Sequence, residues 1–341
     1  MNSLERTTCV LEHKIPDRVP VSLHNFLMIG RMIGCSDMSA MLQNGSLMAE
    51  AQIKAREYFK HDVVQIENGV IALAQALGCE VVYPKDKPPH VVEPVLKNLK
   101  EIENLALPDP ETTFPLNEII KATRIVSRSL GNKVFIVGRA DQGPMALAAA
   151  IYGVENLLLD ITDSSREKEI RCLLDFCAAC NIRYGLAHHK AGAHATCIGG
   201  YGLSIISPAL FRMYEYPCEK KYVEEIQKQG MKAFIHVCGK EDAILDDLVN
   251  TGADVLELDP LTRPALAKRI TGGKTSLLGF VDPVEIAGGP PELVAERSRE
   301  MISMLGTGGG FILSPGCALP INTPFDNVSA LVESAWKYGV Y

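Results

Sequence analysis

Eight short apolar runs recur along the chain, and a segment with helical periodicity follows each of them. Several runs are apolar at nearly every position, which is typical of parallel strands covered on both faces. The predicted strands are Val19–Leu23, Asp62–Glu67, Lys133–Ala140, Gly192–Gly199, Lys232–Val237, Ala253–Leu258, Thr275–Phe280 and Gly310–Pro315. Strands that alternate with crossover helices predict an α/β fold, and eight such units favour a (β/α)8 TIM barrel. An open doubly wound sheet is the structural alternative.

The whole chain, residues 1–341, is predicted to form a single barrel domain, because no linker or low-complexity tract marks a boundary. The alternation is interrupted at about residues 79–109, where a proline-rich stretch predicts a small hairpin followed by a short helix. Apolar spacing predicts helical segments at Ser207–Gly230 and Asp282–Leu305. His188 and His189 also fall in a helical stretch, and we expect them to be solvated.

Apolar residues make up 47% of the chain and charged residues 22%, the balance of a soluble protein with a large buried core. The formal net charge of −7 argues against nucleic acid or an anionic membrane surface as a partner. No apolar stretch reaches transmembrane length and the start lacks a secretory signal, so we expect a cytoplasmic protein. In that reducing compartment, most of the ten cysteines should be free thiols that fill the core.

Two cysteines and one histidine stand out because they fall at the ends of predicted strands, where α/β barrels place their functional residues. The fifth strand ends FIHVCGK, so His236 and Cys238 are two residues apart on an extended segment and face the same side. The eighth strand ends ILSPGC, which places Cys317 at the same rim. One imidazole and two thiolates suit Zn²⁺ with a position left open for substrate. The alternatives are a chance His-x-Cys pair and a cysteine that fills a turn.

Two acidic residues close the sixth predicted strand. Either Glu257 or Asp259 is a candidate fourth metal ligand, or a carboxylate that orients His236. The alternative for both is a turn or helix-capping role ahead of proline.

Four further candidates for substrate binding follow other strands. Asp141 and Gln142 come after the third strand, Tyr201 comes after the fourth, and Asp282 comes after the seventh. Together with Asp259, they are predicted to line the substrate pocket, and a plain loop or capping role is the alternative for each.

The motifs carried along the chain resemble those of the uroporphyrinogen decarboxylase superfamily. The resemblance runs through LEHKIPDRVPV, ALGCEV, ISPALF, FIHVCGK, GADVLELD, LLGFVDP and ILSPGCALPINTPFDNVSALV. Within the superfamily, the chain is similar to the zinc-containing cobalamin-dependent methyltransferases, typified by the methylcobalamin:coenzyme M methyltransferases. That resemblance implies a zinc ion held by a His-x-Cys pair and a distant cysteine, which here are His236, Cys238 and Cys317.

The resemblance also implies an activity: methyl transfer between a small substrate and a corrinoid carried by a partner protein. The small substrate is either a methoxylated compound, as in O-demethylation, or a thiol such as coenzyme M. The fourth strand, ATCIGGYGLS, departs from the acidic residue and proline of the coenzyme M enzymes, which puts that thiol in doubt. The direction of transfer stays open, and so does the oligomeric state, with a homodimer as one option.

Two other functions compete with methyl transfer. Uroporphyrinogen decarboxylase works without a metal and meets its many-carboxylate substrate with an arginine-bearing N-terminal segment, where this chain offers only Arg31 in VSLHNFLMIGRMIG. A corrinoid- or substrate-binding protein without catalytic activity is the third hypothesis.

Overall fold

The computed structural model describes residues 1–200 and 205–341, and its main sheet is a ring of eight parallel strands. The strands, numbered in chain order, are β1 (Ser22–Leu23), β2 (Val63–Ile66), β3 (Glu80–Val82), β4 (His90–Glu93), β5 (Phe135–Gln142), β6 (Ala195–Gly200), β7 (Lys232–Val237), β8 (Val255–Leu258), β9 (Ser276–Val281) and β10 (Phe311–Pro315). Their order in the ring is β1-β2-β5-β6-β7-β8-β9-β10. A bridge between Val21 and Leu313 joins the last strand to the first. The (β/α)8 barrel predicted from the sequence is therefore confirmed.

Helices cover the outside of the barrel and connect its strands. They are α1 (Ser3–Leu11), α2 (Met38–Leu42), α3 (Gly45–Phe59), α4 (Ala72–Ala76), α5 (Leu116–Leu130), α6 (Pro144–Tyr152), α7 (Val154–Asp160), α8 (Glu167–Lys190), α9 (Pro208–Leu210), α10 (Tyr216–Lys228), α11 (Leu245–Asn250), α12 (Pro264–Thr271), α13 (Pro283–Gly288), α14 (Pro291–Met301) and α15 (Phe325–Tyr338). Short 3₁₀ turns lie at Ile29–Ile33, Leu99–Asn104 and Ser164–Arg166, and π turns lie at Phe211–Glu215 and Ile302–Gly306. Within the described ranges, none of the helices combines the length and apolar character that a bilayer crossing requires.

The inside of the barrel is layered because alternate strand residues point inward. At the N-terminal end, inward-facing apolar residues pack together with Val10 and Leu11 of α1, which closes that end. This layer consists of Val63, Phe135, Val137, Ala195, Cys197, Phe234, Val255, Leu278 and Ile312. Two residues further along their strands, Arg139, His236 and Glu257 are polar and buried. The polar side chains therefore lie above an apolar floor, towards the C-terminal mouth.

The stretch 79–109 leaves the barrel as an antiparallel hairpin of β3 and β4, followed by the 3₁₀ turn Leu99–Asn104. The predicted helix at Ser207–Gly230 is present as α9, a π turn and α10 in succession. The predicted helix at Asp282–Leu305 is divided, because α13 ends at Gly288 and α14 starts only at Pro291. Pro290 between them has no backbone N–H to donate, so one continuous helix cannot pass through it.

The prediction for His188 is wrong, whereas His189 is exposed as expected. His188 is buried on α8, and its Nδ1 lies 2.9 Å from Oγ1 of Thr123 on α5. Burial lowers the pKa of His188 to about 3, so the ring is a neutral core residue. Adjacent residues of a helix are rotated by about 100° about its axis, so His188 can be buried while His189 is exposed.

Candidate metal centre

Three side chains from two distant parts of the chain meet at the mouth of the barrel. His236 Nε2 lies 2.9 Å from Cys238 Sγ, and Cys238 Sγ lies 3.6 Å from Cys317 Sγ. The third side of the triangle, from Cys317 Sγ to His236 Nε2, measures 3.9 Å. Among the described residues, this is the one group of three or more His, Cys, Asp or Glu side chains whose ligand atoms come together closely enough to share an ion.

Strand geometry explains how the three side chains meet. His236 belongs to β7 and Cys238 follows the strand directly, so the two side chains point into the same mouth. Cys317 reaches them because the chain after β10 passes very close to the end of β8. A Cβ atom on Gly316 would lie 3.0 Å from the backbone nitrogen of Pro260 and 3.1 Å from the oxygen of Leu258. Only a glycine allows this approach, which brings the turn carrying Cys317 inward.

The donor set fits zinc. Two thiolates and an imidazole are the soft and borderline ligands that zinc prefers, and tetrahedral coordination places such ligand atoms about 3.5–3.8 Å apart. The two separations to Cys317, 3.6 and 3.9 Å, are close to that spacing, whereas the 2.9 Å between His236 Nε2 and Cys238 Sγ is shorter and would have to widen around an ion. Three protein ligands leave a fourth position for a substrate atom, which is the pattern of catalytic zinc sites.

The two cysteines are coupled, because Cys238 Sγ and Cys317 Sγ lie within hydrogen-bonding distance at 3.6 Å. The hydrogen bond from Cys238, assisted by the charge of His236, holds the pKa of Cys317 well below its ordinary value although burial opposes this. The same hydrogen bond and the burial of the site raise the pKa of Cys238. Cys317 is therefore the thiol that ionises more readily, and a divalent cation would favour loss of the proton from Cys238 as well.

Beside His236 lies a buried layer of charged residues, of which the sequence analysis named Glu257 but not Arg139, Glu67 or His24. Arg139 Nη1 donates to Glu257 Oε2 at 2.7 Å and to Gln65 Oε1 at 2.9 Å. Its Nε lies 3.6 Å from Glu67 Oε2. His24 follows β1, and its ring lies edge-on to that of His236 with the centroids 5.7 Å apart. The sequence did contain a signal for this layer, because Arg139 in KVFIVGRA and Glu67 in DVVQIE are charged residues at the ends of strands that are mostly apolar.

Glu257 lies on the side of His236 that faces away from the thiols. Its Oε2 is 3.7 Å from Nδ1 of His236, whereas the cysteines approach Nε2. Burial disfavours its ionisation, but the charge of Arg139, with His236 and His24, outweighs burial and lowers the pKa of Glu257 to about 2. Neither Glu257 nor Asp259 belongs to the triad of close ligand atoms. The position of Glu257 fits a carboxylate that orients the imidazole.

Two of the predicted substrate residues, Asp259 and Asp282, cap the backbone with one carboxylate oxygen, and substrate binding by the other oxygen stays a prediction. Asp259 Oδ1 accepts the N–H of Leu261 at 2.9 Å, and Asp282 Oδ1 accepts the N–H of Val284 at 2.7 Å at the start of α13. Both residues lie at the mouth. In each, one carboxylate oxygen accepts a backbone N–H, which is the capping role that the sequence analysis gave as the alternative to substrate binding.

Asp141 and Gln142, predicted to follow the third strand, are the last two residues of β5, and both are directed towards neighbouring elements. Asp141 has a φ of 65° and accepts the N–H of Leu73 in α4 through Oδ2 at 2.6 Å. Burial raises the pKa of Asp141 to about 7. The backbone oxygen of Gln142 accepts from Asn181, and its side-chain Oε1 is buried without a partner in the described part of the chain. Tyr201 lies outside the described residues.

Comparisons with known proteins place this architecture in a family. The profile of the uroporphyrinogen decarboxylase (URO-D) family matches residues 2–338. The chain belongs to this family. The methylcobamide:CoM methyltransferase MtbA of Methanosarcina acetivorans is 29% identical over 81% of this chain and 80% of its own. A uroporphyrinogen decarboxylase of Coxiella burnetii is 23% identical over 88% of this chain and 84% of its own.

One solved structure supports the fold independently. A methyltransferase from Methanosarcina mazei superposes with a TM-score of 0.89 and covers 99% of both chains at 24% sequence identity. At 24% identity, this likeness establishes the barrel fold alone. The relatives include a methyltransferase and a decarboxylase, so membership of the family does not by itself decide between these two reactions. The choice between them has to come from the residues at the mouth.

Proposed function

We propose that this chain is a zinc-dependent methyltransferase that moves a methyl group between a small substrate and a corrinoid carried by a partner protein. The observation that carries the proposal is the meeting of His236, Cys238 and Cys317 at the barrel mouth. A decarboxylation without a metal has no use for two thiols and an imidazole at the place where substrate enters. The similarity to a methylcobamide:CoM methyltransferase supports the same conclusion.

In the proposed reaction, the residues of this chain bind the metal ion and position its ligands. His236, Cys238 and Cys317 would hold the ion. Bound there, zinc supplies Lewis acidity, which favours the thiolate form of a thiol or activates the oxygen of a methyl ether. Glu257 Oε2, 3.7 Å from Nδ1 of His236, is placed to orient the imidazole, and Arg139 holds Glu257 in place at 2.7 Å. The apolar floor closes the barrel from the other end, so both reactants have to meet at the mouth.

The direction of transfer decides which bonds change. With a thiol, a carbon–sulfur bond forms, the cobalt–carbon bond breaks, and the thiol proton leaves. With a methyl ether, the carbon–oxygen bond breaks, the cobalt–carbon bond forms, and the oxygen takes up a proton. Both directions use the same three ligands, and both need the partner's corrinoid close to the bound substrate, so that proximity provides much of the rate.

The mouth is poorly suited to the decarboxylase substrate. Arg31, the arginine in the segment after β1, donates through Nη1 to the backbone oxygens of Ile321 and Thr323. Its guanidinium also lies over the ring of Phe325, 4.5 Å from the centroid. Through these contacts Arg31 connects two segments of the rim. Because its guanidinium is already engaged there, it is poorly placed to bind the carboxylates of a tetrapyrrole.

Metal analysis followed by turnover tests the proposal. The purified chain should contain about one zinc per chain, and it should change the absorption spectrum of methylcobalamin in the presence of a simple thiol such as mercaptoethanol. If the substrate is a methyl ether instead of a thiol, a methoxylated aromatic compound should methylate cob(I)alamin. A chain without zinc that releases carbon dioxide from uroporphyrinogen would be a decarboxylase. Binding of cobalamin without any turnover would favour the binding-protein hypothesis.

A further inference from the structure

Two of the ten cysteines lie close enough to react with each other. Cys238 Sγ and Cys317 Sγ are 3.6 Å apart, and among the described residues, which include every cysteine, theirs is the one sulfur–sulfur hydrogen bond. A disulfide bond holds its sulfurs about 2 Å apart, so the pair has to close by about 1.5 Å. Rotation of a cysteine side chain between its staggered positions covers such a distance.

The pair is also accessible. Cys238 and Cys317 are half-buried at the mouth, where substrate has to enter. Five of the other thiols are buried, namely those of Cys79, Cys177, Cys180, Cys197 and Cys218. The thiol of Cys172 is exposed, but it has no second thiol within hydrogen-bonding distance. A reagent that enters the mouth therefore meets two thiols side by side.

The backbone on both sides of the pair is held by hydrogen bonds of the chain itself. Gly239, which follows the first cysteine, accepts from Oγ1 of Thr262 through its backbone oxygen at 2.9 Å. Gly316, which precedes the second cysteine, donates its N–H to the oxygen of Val281 at 2.8 Å. Because these contacts are made by the protein, the two thiols stay neighbours whether or not an ion is bound.

We propose that Cys238 and Cys317 form a reversible disulfide that switches the metal centre off, with a small organic disulfide as the oxidant. This inference rests on the proposed function for its effect on methyl transfer, whereas the disulfide itself can be tested without it. The thiolate is the form of cysteine that binds a metal. The new bond consumes both sulfurs, so His236 is left as the single donor of the triad.

The oxidation proceeds by two thiol–disulfide exchanges. In the first, one rim sulfur attacks the oxidant, whose sulfur–sulfur bond breaks, so that a mixed disulfide forms and one small thiol leaves. In the second, the other rim sulfur attacks the first, which forms the internal disulfide and releases the second small thiol. Two cysteine sulfurs are oxidised, the oxidant is reduced to two thiols, and the two cysteine protons leave with them. Bound zinc opposes the exchange, because it holds both sulfurs as ligands.

The full chain, stripped of metal with a chelator and treated with the disulfide of mercaptoethanol, provides the test. We expect the loss of two free thiols without the added mass of a mixed disulfide, measured by mass spectrometry. Trypsin should release the peptide of residues 233–240 linked to that of residues 300–337, each of which contains a single cysteine. The oxidised chain should take up no zinc until dithiothreitol is added, and zinc loaded beforehand should slow the linkage.

Three variants identify the sulfurs. Cys172→Ser, which alters the exposed cysteine, should form the same linked peptides as the wild-type chain. Cys238→Ser and Cys317→Ser should each stop at the mixed disulfide, with one mercaptoethanol attached to the remaining rim cysteine. The wild-type measurement stands even if one of the rim variants folds poorly.

The outcomes distinguish this inference from the proposed function. A folded, metal-free chain that does not form the linked peptides would overturn the inference while methyl transfer stands. An oxidised chain that takes up zinc as readily as the reduced chain would overturn it as well. A chain that forms the disulfide but exchanges no methyl group with methylcobalamin or cob(I)alamin would instead remove the proposed function.

Discussion

Arg139 and Glu257 form a hydrogen-bonded ion pair of 2.7 Å across the inside of the barrel, with side-chain exposures of 5% and 0%. Arg139 comes from β5 and Glu257 from β8, which are separated in the ring by β6 and β7. The same carboxylate oxygen lies 3.7 Å from Nδ1 of His236. The pair therefore connects a fixed buried cation to the imidazole of the candidate metal centre.

Glu257→Gln should weaken metal binding. The neutral amide removes the carboxylate beside Nδ1 of His236, and loss of such an orienting partner typically reduces metal affinity by about 10–100-fold. Zinc affinity is measured by competition with a chromophoric chelator, with circular dichroism to confirm that the fold persists. Affinity equal to that of Glu333→Gln, a surface control, would show that Glu257 does not orient the ligand.

Cys238→Ser and Cys317→Ser should each lose zinc and methyl transfer while keeping the fold. Each change removes one of three sulfur and nitrogen donors that lie within 3.9 Å of one another. Metal content is measured by elemental analysis and activity by methylcobalamin turnover. Cys172→Ser alters an exposed cysteine and should keep both properties. Full metal content and turnover in both rim variants would exclude the triad as the metal centre.

Asp141 should make stability depend on pH. Burial raises its pKa from 3.8 to about 7 in the folded chain, so between these values the folded state keeps a proton that the unfolded chain releases. The contribution is fully present below pH 3.8 and is lost as pH rises to about 7. Asp141→Asn keeps an acceptor for Leu73 and tolerates the φ of 65°, and the fall of Tm over this range should become smaller.

A control is available in Asp86→Asn, which alters an exposed aspartate near the β3–β4 hairpin. Its Tm should follow that of the wild-type chain from pH 4 to pH 7. A Tm profile for Asp141→Asn as steep as the wild-type profile would mean that Asp141 ionises normally in the folded state.

Gly138→Ala should destabilise the barrel by about 1–3 kcal/mol, because overpacking a filled core costs that much. A Cβ atom on Gly138 would overlap the ring of His188 and lie 2.5 Å from its Cβ. His188 cannot move away without losing its contact of 2.9 Å with Thr123. The free energy of unfolding is measured by denaturant titration. Gly288→Ala has no described atom within 4 Å of the added methyl group and should be neutral or slightly stabilising.

The repeating pattern of the chain carried most of the information about the fold. Each of the eight predicted strands overlaps a strand of the barrel, because an apolar run between helical segments is a local property. The same local rule placed His236 and Cys238 on one side of their strand, since residues two apart face the same way. The prediction of one helical segment at Asp282–Leu305 did not use a local signal that was present, because Pro290 cannot donate a backbone hydrogen bond and the helix is divided there.

Contacts across the barrel were decided by the tertiary structure. Arg139 and Glu257 are separated by 118 residues, and no periodicity indicates that these two side chains pair. Asp259 and Asp282 had the sequence context of either a pocket residue or a cap, and the direction of the backbone after each strand places one oxygen of each in a capping hydrogen bond. The sequence by itself determined the barrel, its strands and which side chains lie at strand ends, because these depend on near neighbours. Closure of the ring decided which of those side chains meet, because it brings together residues whose separation along the chain carries no local signal.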